Sequence, residues 1–412
     1  MTQHAPTARP GLPLEDGRRV TDPPDPKPSP ARLIGIDLAR GLAVLGMYAA
    51  HVGPEPAVGG PLGFVSELAR GRSSALFAVL AGFSLVLITG RPRPRTGRAG
   101  RQAVARVVLR SAVLVVAGYA LTALDTDVDV ILAFYGLAFL FILPLYRLSA
   151  TRLAVIAAAT ALLMPQLLYV IRNSIEGGSW ADAVIAGDPL ARFSGTDGFV
   201  ELLFTGEYPV LTWMPFMIAG MAVARLDLRD ARIGTRLALA GGGLCLLGYG
   251  GSWLALRLVP SAVGSVAAAT HSHAAASAWW SDMAGDLPDQ VPPAWLLVAA
   301  PHSQTTFSIL GNTGFALLVV AGCVMVTYRM PRLTRLATPV SAVGAVALTA
   351  YVLHILAIRV VGMPEETGPA LLTLLVFSVT AALSATLWTR HFRRGPLEYA
   401  LRHVTDLSRY VK

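Results

Sequence analysis

The chain has 412 residues, of which 54% are hydrophobic and only 14% charged, with a mean hydropathy of +0.56; these are membrane-protein values and exclude an ordinary soluble globular domain. The formal net charge of +9 would suit a nucleic-acid partner if it were clustered. Instead about 28 of the 34 basic residues fall in the tails, in alternate loops or just inside helix ends, as the positive-inside rule requires, so the charge is topological and no nucleic-acid partner is expected.

Residues 1–30 carry a polar, Pro-rich run, Thr21-Asp22-Pro23-Pro24-Asp25-Pro26-Lys27-Pro28, that cannot bury enough surface to fold, and they read as a disordered cytoplasmic tail. No apolar h-region stands before Ala31, so the first apolar stretch reads as an uncleaved signal anchor. Between residues 31 and 391, apolar stretches of spanning length recur near 33–53, 73–90, 103–123, 128–147, 153–171, 208–225, 234–256, 306–327, 338–361 and 369–389. The expected fold is all-α: a polytopic integral membrane protein of about ten transmembrane helices. The loops between them alternate in chemistry. Arg91-Pro92-Arg93-Pro94-Arg95 to Arg101 is basic, Asp125 to Asp129 acidic, Arg147 to Arg152 basic, Ile175 to Glu201 acidic and Arg225 to Arg236 basic, on to a basic tail at 392–412. This alternation predicts cytoplasmic termini and acidic outer loops.

Two outer loops, near 172–206 and 257–305, have the length of segments that carry function or disorder. The second contains Trp279-Trp280, whose rings suit a membrane interface. No internal repeat is visible, which weakens, without excluding, an inverted-repeat transporter architecture. The only cysteines, Cys245 and Cys323, lie in apolar runs and support neither a disulfide framework nor a thiolate metal site.

The first span contains Asp37, Arg40 and His51, each costly if held unpaired in hydrocarbon. At about 100° per residue Asp37, Val44, Tyr48 and His51 fall near one direction, with Arg40 and Gly41 flanking it, and about 21 Å separates Asp37 from His51 along the axis. Such a stripe faces other helices or a wet cavity, not lipid. His354, in the outer half of the ninth span, is placed to share an outward-facing cavity with His51.

Around that outer mouth the topology gathers Glu67, Arg70 and Arg72 before the second span, Glu207 and Tyr208 before the sixth, and His302, Ser303, Gln304, Thr305 and Asn312 at the start of the eighth. Arg72, Glu207, His302, Gln304, Thr305 and Asn312 are candidates to bind a substrate. Each has a plainer reading. A membrane histidine often only bonds a neighbouring helix, Arg72 has a stem long enough to snorkel, and Asp37 with Arg40 fits an i,i+3 ion pair as well as a cofactor contact. The Arg91 to Arg101 loop sets topology or meets anionic lipid; in its sharper reading Arg93, Arg95 and Arg98, with Arg40, hold the phosphates of a nucleotide-like cofactor. His271 and His273 have no third ligand in spacing, so no metal is expected.

Four segments carry a resemblance: Ile36-Asp37-Leu38-Ala39-Arg40-Gly41-Leu42-Ala43-Val44-Leu45-Gly46-Met47; Tyr208-Pro209-Val210-Leu211-Thr212-Trp213-Met214-Pro215 with Gly220 to Arg225; Pro301-His302-Ser303-Gln304-Thr305 with Gly311-Asn312-Thr313-Gly314; and Gly395-Pro396-Leu397-Glu398. Over nearly all of residues 31–403 the chain resembles the YeiB-like bacterial membrane proteins, which are grouped with the catalytic domain of heparan-α-glucosaminide N-acetyltransferase. The resemblance implies a multi-pass protein of the bacterial plasma membrane that moves acetyl from cytoplasmic acetyl-CoA to an acceptor, usually a glycan, across the membrane. In the acetyltransferase the catalytic histidine follows the first helix. Val52 to Ser66 holds none, which leaves His51 as the nearest candidate.

The first reading is thus an acyltransferase-like protein in which His51 is general base or acyl carrier and His354 its partner. A transporter or flippase whose histidines relay protons is the alternative. Membrane lipid and a small-molecule or glycan acceptor are the expected partners, and a homo-oligomer is left open.

Overall fold

The computed structural model describes residues 33–126, 128–362 and 369–412, so the expected N-terminal tail at 1–30 lies outside the described residues. From Ile34 to Lys412 the chain forms one compact unit, with no strand among the described residues. Its helices, in chain order, are α1 (Ile34–Val52), α2 (Gly60–Ala69), α3 (Arg72–Thr89), α4 (Gly97–Thr122), α5 (Ile131–Ile142), α6 (Ala150–Glu176), α7 (Trp180–Gly187), α8 (Pro189–Ser194), α9 (Val210–Ala224), α10 (Ala231–Cys245), α11 (Gly251–Leu258), α12 (Ala262–Thr270), α13 (Thr306–Arg329), α14 (Pro331–Leu336), α15 (Thr338–Ala345), α16 (Ala347–Val361), α17 (Ala370–His391) and α18 (Pro396–Thr405).

Every expected span coincides with helix, but not every one is a long apolar rod. Among the described residues six stretches are long and apolar enough to cross a bilayer: Gly60–Thr89, α4, Ala150–Ile175, Ala231–Leu258, α13 and α17; the pair α15 and α16 makes a seventh if taken as one span. The count of ten is therefore not reached on length and composition alone. Two further stretches, Ile131–Arg147 and Val210–Ala224, are apolar but short, and α1 carries the polar stripe.

Burial explains why α1 can afford that stripe. Ala39, Ala43, Val44 and Met47 are sealed inside the bundle, as is Asp37, and the stretch containing α3 is 72% buried, whereas α17 is 6% buried. The outer helices show the lipid solvent their apolar side chains: Val116 on α4, Val155 and Leu163 on α6, Leu383 on α17 are all exposed. Between the inner helices, contact is set by missing side chains. A Cβ on Gly82 would stand 1.8 Å from the Met217 carbonyl oxygen, and one on Gly220 equally close to that of Val79, so α3 and α9 touch backbone to backbone. Gly41 and Gly344 do the same for α1 and α15.

Two expectations change in shape. The ninth span is not one helix: α15 and α16 meet at 87° across Val346. The long loop after α11 is a folded cap, with its own apolar core of Val266, Ala278, Trp295 and Val298, joined to the segment before α3 through Arg70 and Arg72.

Candidate functional site

α1 and α16 bring the two intramembrane histidines together. His51 Nδ1 lies 3.0 Å from His354 Nε2, with the rings stacked at 5.2 Å and 9° from parallel. The other nitrogen of His354, Nδ1, faces the Tyr351 carbonyl. A carbonyl can only accept, so the proton of neutral His354 sits on Nδ1 and its Nε2 offers a lone pair. His51 must then donate Nδ1–H to that lone pair. Its own Nε2 keeps a free lone pair and has no hydrogen-bond partner among the described residues. The chain of donors, His51 to His354 to the α16 backbone, has the logic of a histidine base oriented by a second group, with an imidazole in place of the usual carboxylate.

The surroundings fix the geometry further. Tyr48, one turn below His51, donates its hydroxyl to the Ala350 carbonyl at 2.8 Å and stacks on His354 at 4.7 Å. Tyr351 accepts the Ile131 amide at 3.1 Å, tying α16 to α5. His354 and Tyr48 also line a cavity of about 500 Å³ between α1, α16 and α17, together with Thr349, Phe377, Ser384, Trp388 and Pro396. From Phe377 to Trp388 the α17 wall covers roughly 16 Å. His51 itself does not line this cavity; it lies beyond His354, where Arg70 and His302 act on it electrostatically.

The other expected site residues separate into three groups. Arg72 is 2% exposed and has all three nitrogens engaged: Nε with Tyr249 Oη at 3.1 Å, Nη1 with the Glu67 carbonyl at 2.8 Å and Nη2 with the Trp280 carbonyl at 2.5 Å. Tyr249 passes the network on to Asn312 at 2.6 Å, and Asn312 to Ser308 at 3.1 Å. Trp280 therefore also stacks over a buried guanidinium, 5.6 Å from its ring centre. Gln304 clamps the start of α9, accepting from Thr212 and Trp213 and donating to the Glu207 carbonyl, and Thr305 caps α13. These residues hold the cap on the bundle.

His302 and Glu207 form a second group. His302 Nδ1 lies 2.5 Å from Glu207 Oε1, on a backbone held at φ +56°, a left-handed conformation that a non-glycine residue adopts at a cost. Burial pushes the imidazole down, and the carboxylate beside it pushes it up by more, to about 9.

The third group sits at the opposite end. Arg40 Nη1 lies 3.2 Å from Asp37 Oδ1, and Nη2 donates to Ser84 at 2.8 Å, so the i,i+3 pair exists and also ties α1 to α3. Arg93, Arg95 and Arg98 are exposed. Their loop is anchored by Arg91 and Arg225, which donate across it to the Ala224 and Gly90 carbonyls. Arg101 reaches the Lys412 carbonyl at 2.6 Å, so the basic loop and the C-terminal segment share one end of the molecule. Sequence reasoning passed over Tyr351, Thr349 and Tyr249; only their pairing in space gives them a role.

The fold and site define a multi-pass, all-α membrane protein with a histidine pair at the junction of a straight and a broken helix. The chain belongs to the family of the heparan-alpha-glucosaminide N-acetyltransferase catalytic domain, whose family model matches residues 32–248. A second model, protein of unknown function DUF418, matches residues 267–408, in keeping with the YeiB-like resemblance. No curated protein matches the chain. The histidine pair joins the two matched regions, His51 from the first and His354 from the second.

Proposed function

We propose that the protein is a transmembrane acyltransferase that takes an acetyl group from cytoplasmic acetyl-CoA and passes it to an extracytoplasmic acceptor, a glycan or small molecule, across the bacterial plasma membrane. The observation that carries this reading is the His51–His354 pair, whose hydrogen bonds leave the Nε2 lone pair of His51 free, with His354, its partner, lining a cavity that also meets Pro396 of the C-terminal segment. A cavity of that size is in the range of small-molecule sites, and its mostly apolar walls suit the thioester arm of a coenzyme A donor.

In this scheme His51 Nε2 removes the proton from an acceptor hydroxyl or amine as that group attacks the thioester carbonyl. The carbon–sulfur bond breaks, the acetyl group stays on the acceptor, and the proton goes to the thiolate that leaves. His354 holds the His51 ring and spreads the charge that develops on it. Arg40, oriented by its pairing with Asp37, and the loop of Arg93, Arg95 and Arg98 supply hydrogen-bond donors for the phosphates of acetyl-CoA at the cytoplasmic end. Arg72, Glu207, His302, Gln304, Thr305 and Asn312 shape the acceptor side.

The test is to incubate the purified protein in lipid nanodiscs with radiolabelled acetyl-CoA. Coenzyme A release, or label on the protein or on an added amino sugar, is expected. No consumption of acetyl-CoA, together with substrate flux driven by a pH gradient in vesicles, would favour a transporter instead.

A further inference from the structure

The tail motif Gly395-Pro396-Leu397-Glu398 lies some forty residues from His354, and beyond Pro396 in the cavity wall the acyl-transfer scheme gives it no role. Its position explains why the ninth span can be broken. A helix that starts afresh after an 87° bend exposes the amide groups of its first turn, and inside a membrane domain water does not satisfy them freely. The α16 start answers this with a carboxylate from elsewhere in the chain. Glu398 Oε1 accepts the amides of Leu348 at 2.8 Å and Thr349 at 3.2 Å, and Oε2 accepts the Thr349 hydroxyl at 2.6 Å. Thr349 Oγ1 in turn accepts the Leu397 amide at 3.1 Å.

A negative charge at a helix N-terminus also complements the helix dipole, so one side chain satisfies donors and charge together. The approach is close enough to dictate the residue before the tail helix. A Cβ on Gly395 would stand 2.2 Å from Glu398 Oε2 and 2.7 Å from Thr349 Oγ1, so a larger residue there drives the tail off the cap.

The residues that shape the histidine pair follow at once along the same helix. Ala350 takes the Tyr48 hydroxyl, Tyr351 takes the His354 Nδ1 proton, and His354 meets His51. From Thr349 to His354 the rise is about 7.5 Å, a single rigid turn and a half. We infer that Glu398 is a positioning residue for the histidine pair: the C-terminal segment latches the broken half-helix α16 at the angle and register that put His354 against His51. This rests on the acyltransferase reading only for its effect on rate, not for its effect on the pair.

Histidine ¹⁵N chemical shifts, recorded on protein in bilayers, report which ring nitrogens carry protons and whether they share a hydrogen bond. The wild type is expected to show two neutral histidines protonated at Nδ1 and coupled to each other; single His51→Ala and His354→Ala variants assign the signals. Glu398→Ala should uncouple them, and lower acetyl turnover about 10- to 100-fold with the KM for acetyl-CoA unchanged. Glu398→Gln keeps one acceptor oxygen and loses the charge, so it should fall between. It also serves as the main variant if Glu398→Ala fails to fold. A wild-type histidine spectrum in Glu398→Gln, with unchanged turnover, overturns the latch. Uncoupled histidines in that variant, in a protein whose wild type consumes no acetyl-CoA, uphold the latch and defeat the acyltransferase reading.

Discussion

Two polar clusters lie inside the bundle, and they differ in what they leave open. Around Arg72 every nitrogen is engaged, Tyr249 and Asn312 carry the bonds onward, and the carbonyls of Glu67 and Trp280 end them. Around His51 the hydrogen bonds run one way, through His354 into the α16 backbone, and stop at a free lone pair. Buried polarity alone thus says little about chemistry in a membrane domain. A saturated network fixes one part of the fold to another; an unsaturated one, held by its neighbours and open at one atom, can exchange a proton.

Breaking the open cluster should cost rate, and breaking the closed one should cost fold. The largest effect is expected at His51. His51→Ala should lower acetyl transfer by about 10² to 10⁴-fold while the protein keeps its elution profile and melting temperature in detergent, and His354→Ala should lose less because Nε2 of His51 remains. If His51→Ala retains full turnover, the histidine is a packing residue and the comparison fails on its more important side.

Arg72→Met tests the other side. The stem of methionine fills the apolar part of the site, but Tyr249 and two carbonyls lose their donor, and each buried orphan costs about 1–3 kcal/mol. The expected outcome is a large drop in melting temperature or in the yield of folded protein. Lysine should rescue little, because a single ammonium cannot reach three partners set in a planar fork. An Arg72→Met protein of normal stability with a raised KM for acceptor would move Arg72 from the closed cluster to the binding site.

The His302–Glu207 pair stands between the two. Its imidazole titrates at about 9 in the folded protein against about 6.5 when free. The pair's contribution to stability is then fully present below about pH 6.5 and is lost as pH rises through about 9, an effect of roughly 1–3 kcal/mol given the partial exposure of Glu207. Melting temperature should fall between pH 7 and pH 10, and Glu207→Gln should flatten that slope. A slope unchanged in Glu207→Gln would assign the loss to other groups.

How far these clusters could be read in advance follows from what each depends on. Helices were legible because lipid imposes long apolar stretches, and α1 stood out because Asp37, Arg40 and His51 violate that rule. His51 and His354 were legible as a pair of depths on two spans. The tautomer was not, because it is set by a backbone carbonyl, and every residue has one. The break at Val346 was equally hidden: the run from Thr338 to Val361 is mostly apolar, with His354 and Arg359 its only charged or imidazole side chains, contains no proline past its first turn, and is held bent by Glu398, a residue far along the chain. Arg72 was visible as an anomaly, but its partners, Tyr249 and the carbonyl of Trp280, come from segments the sequence does not pair. Trp279-Trp280 read as an aromatic pair suited to a membrane interface; the guanidinium that Trp280 covers comes from a distant segment and was not legible.

The smallest effect is expected at the basic loop, and it tests whether the comparison extends to the far end of the molecule. Arg93, Arg95 and Arg98 are exposed, while the contacts that hold their loop belong to Arg91 and Arg225. Replacing the three by Gln should therefore leave the melting temperature within a degree or two and change only what the loop meets in solution. Exposed arginines interact with a phosphate through a screened field, so a loss of about 3- to 10-fold in coenzyme A affinity is expected at low salt, shrinking as ionic strength rises and the Debye length falls below about 10 Å. Calorimetry at two salt concentrations separates the readings. A salt-dependent loss places the loop on the donor's path; equal affinity for wild type and triple variant at both concentrations leaves it a topology signal, and the phosphates must then be held deeper, where Arg40 already serves Asp37 and Ser84.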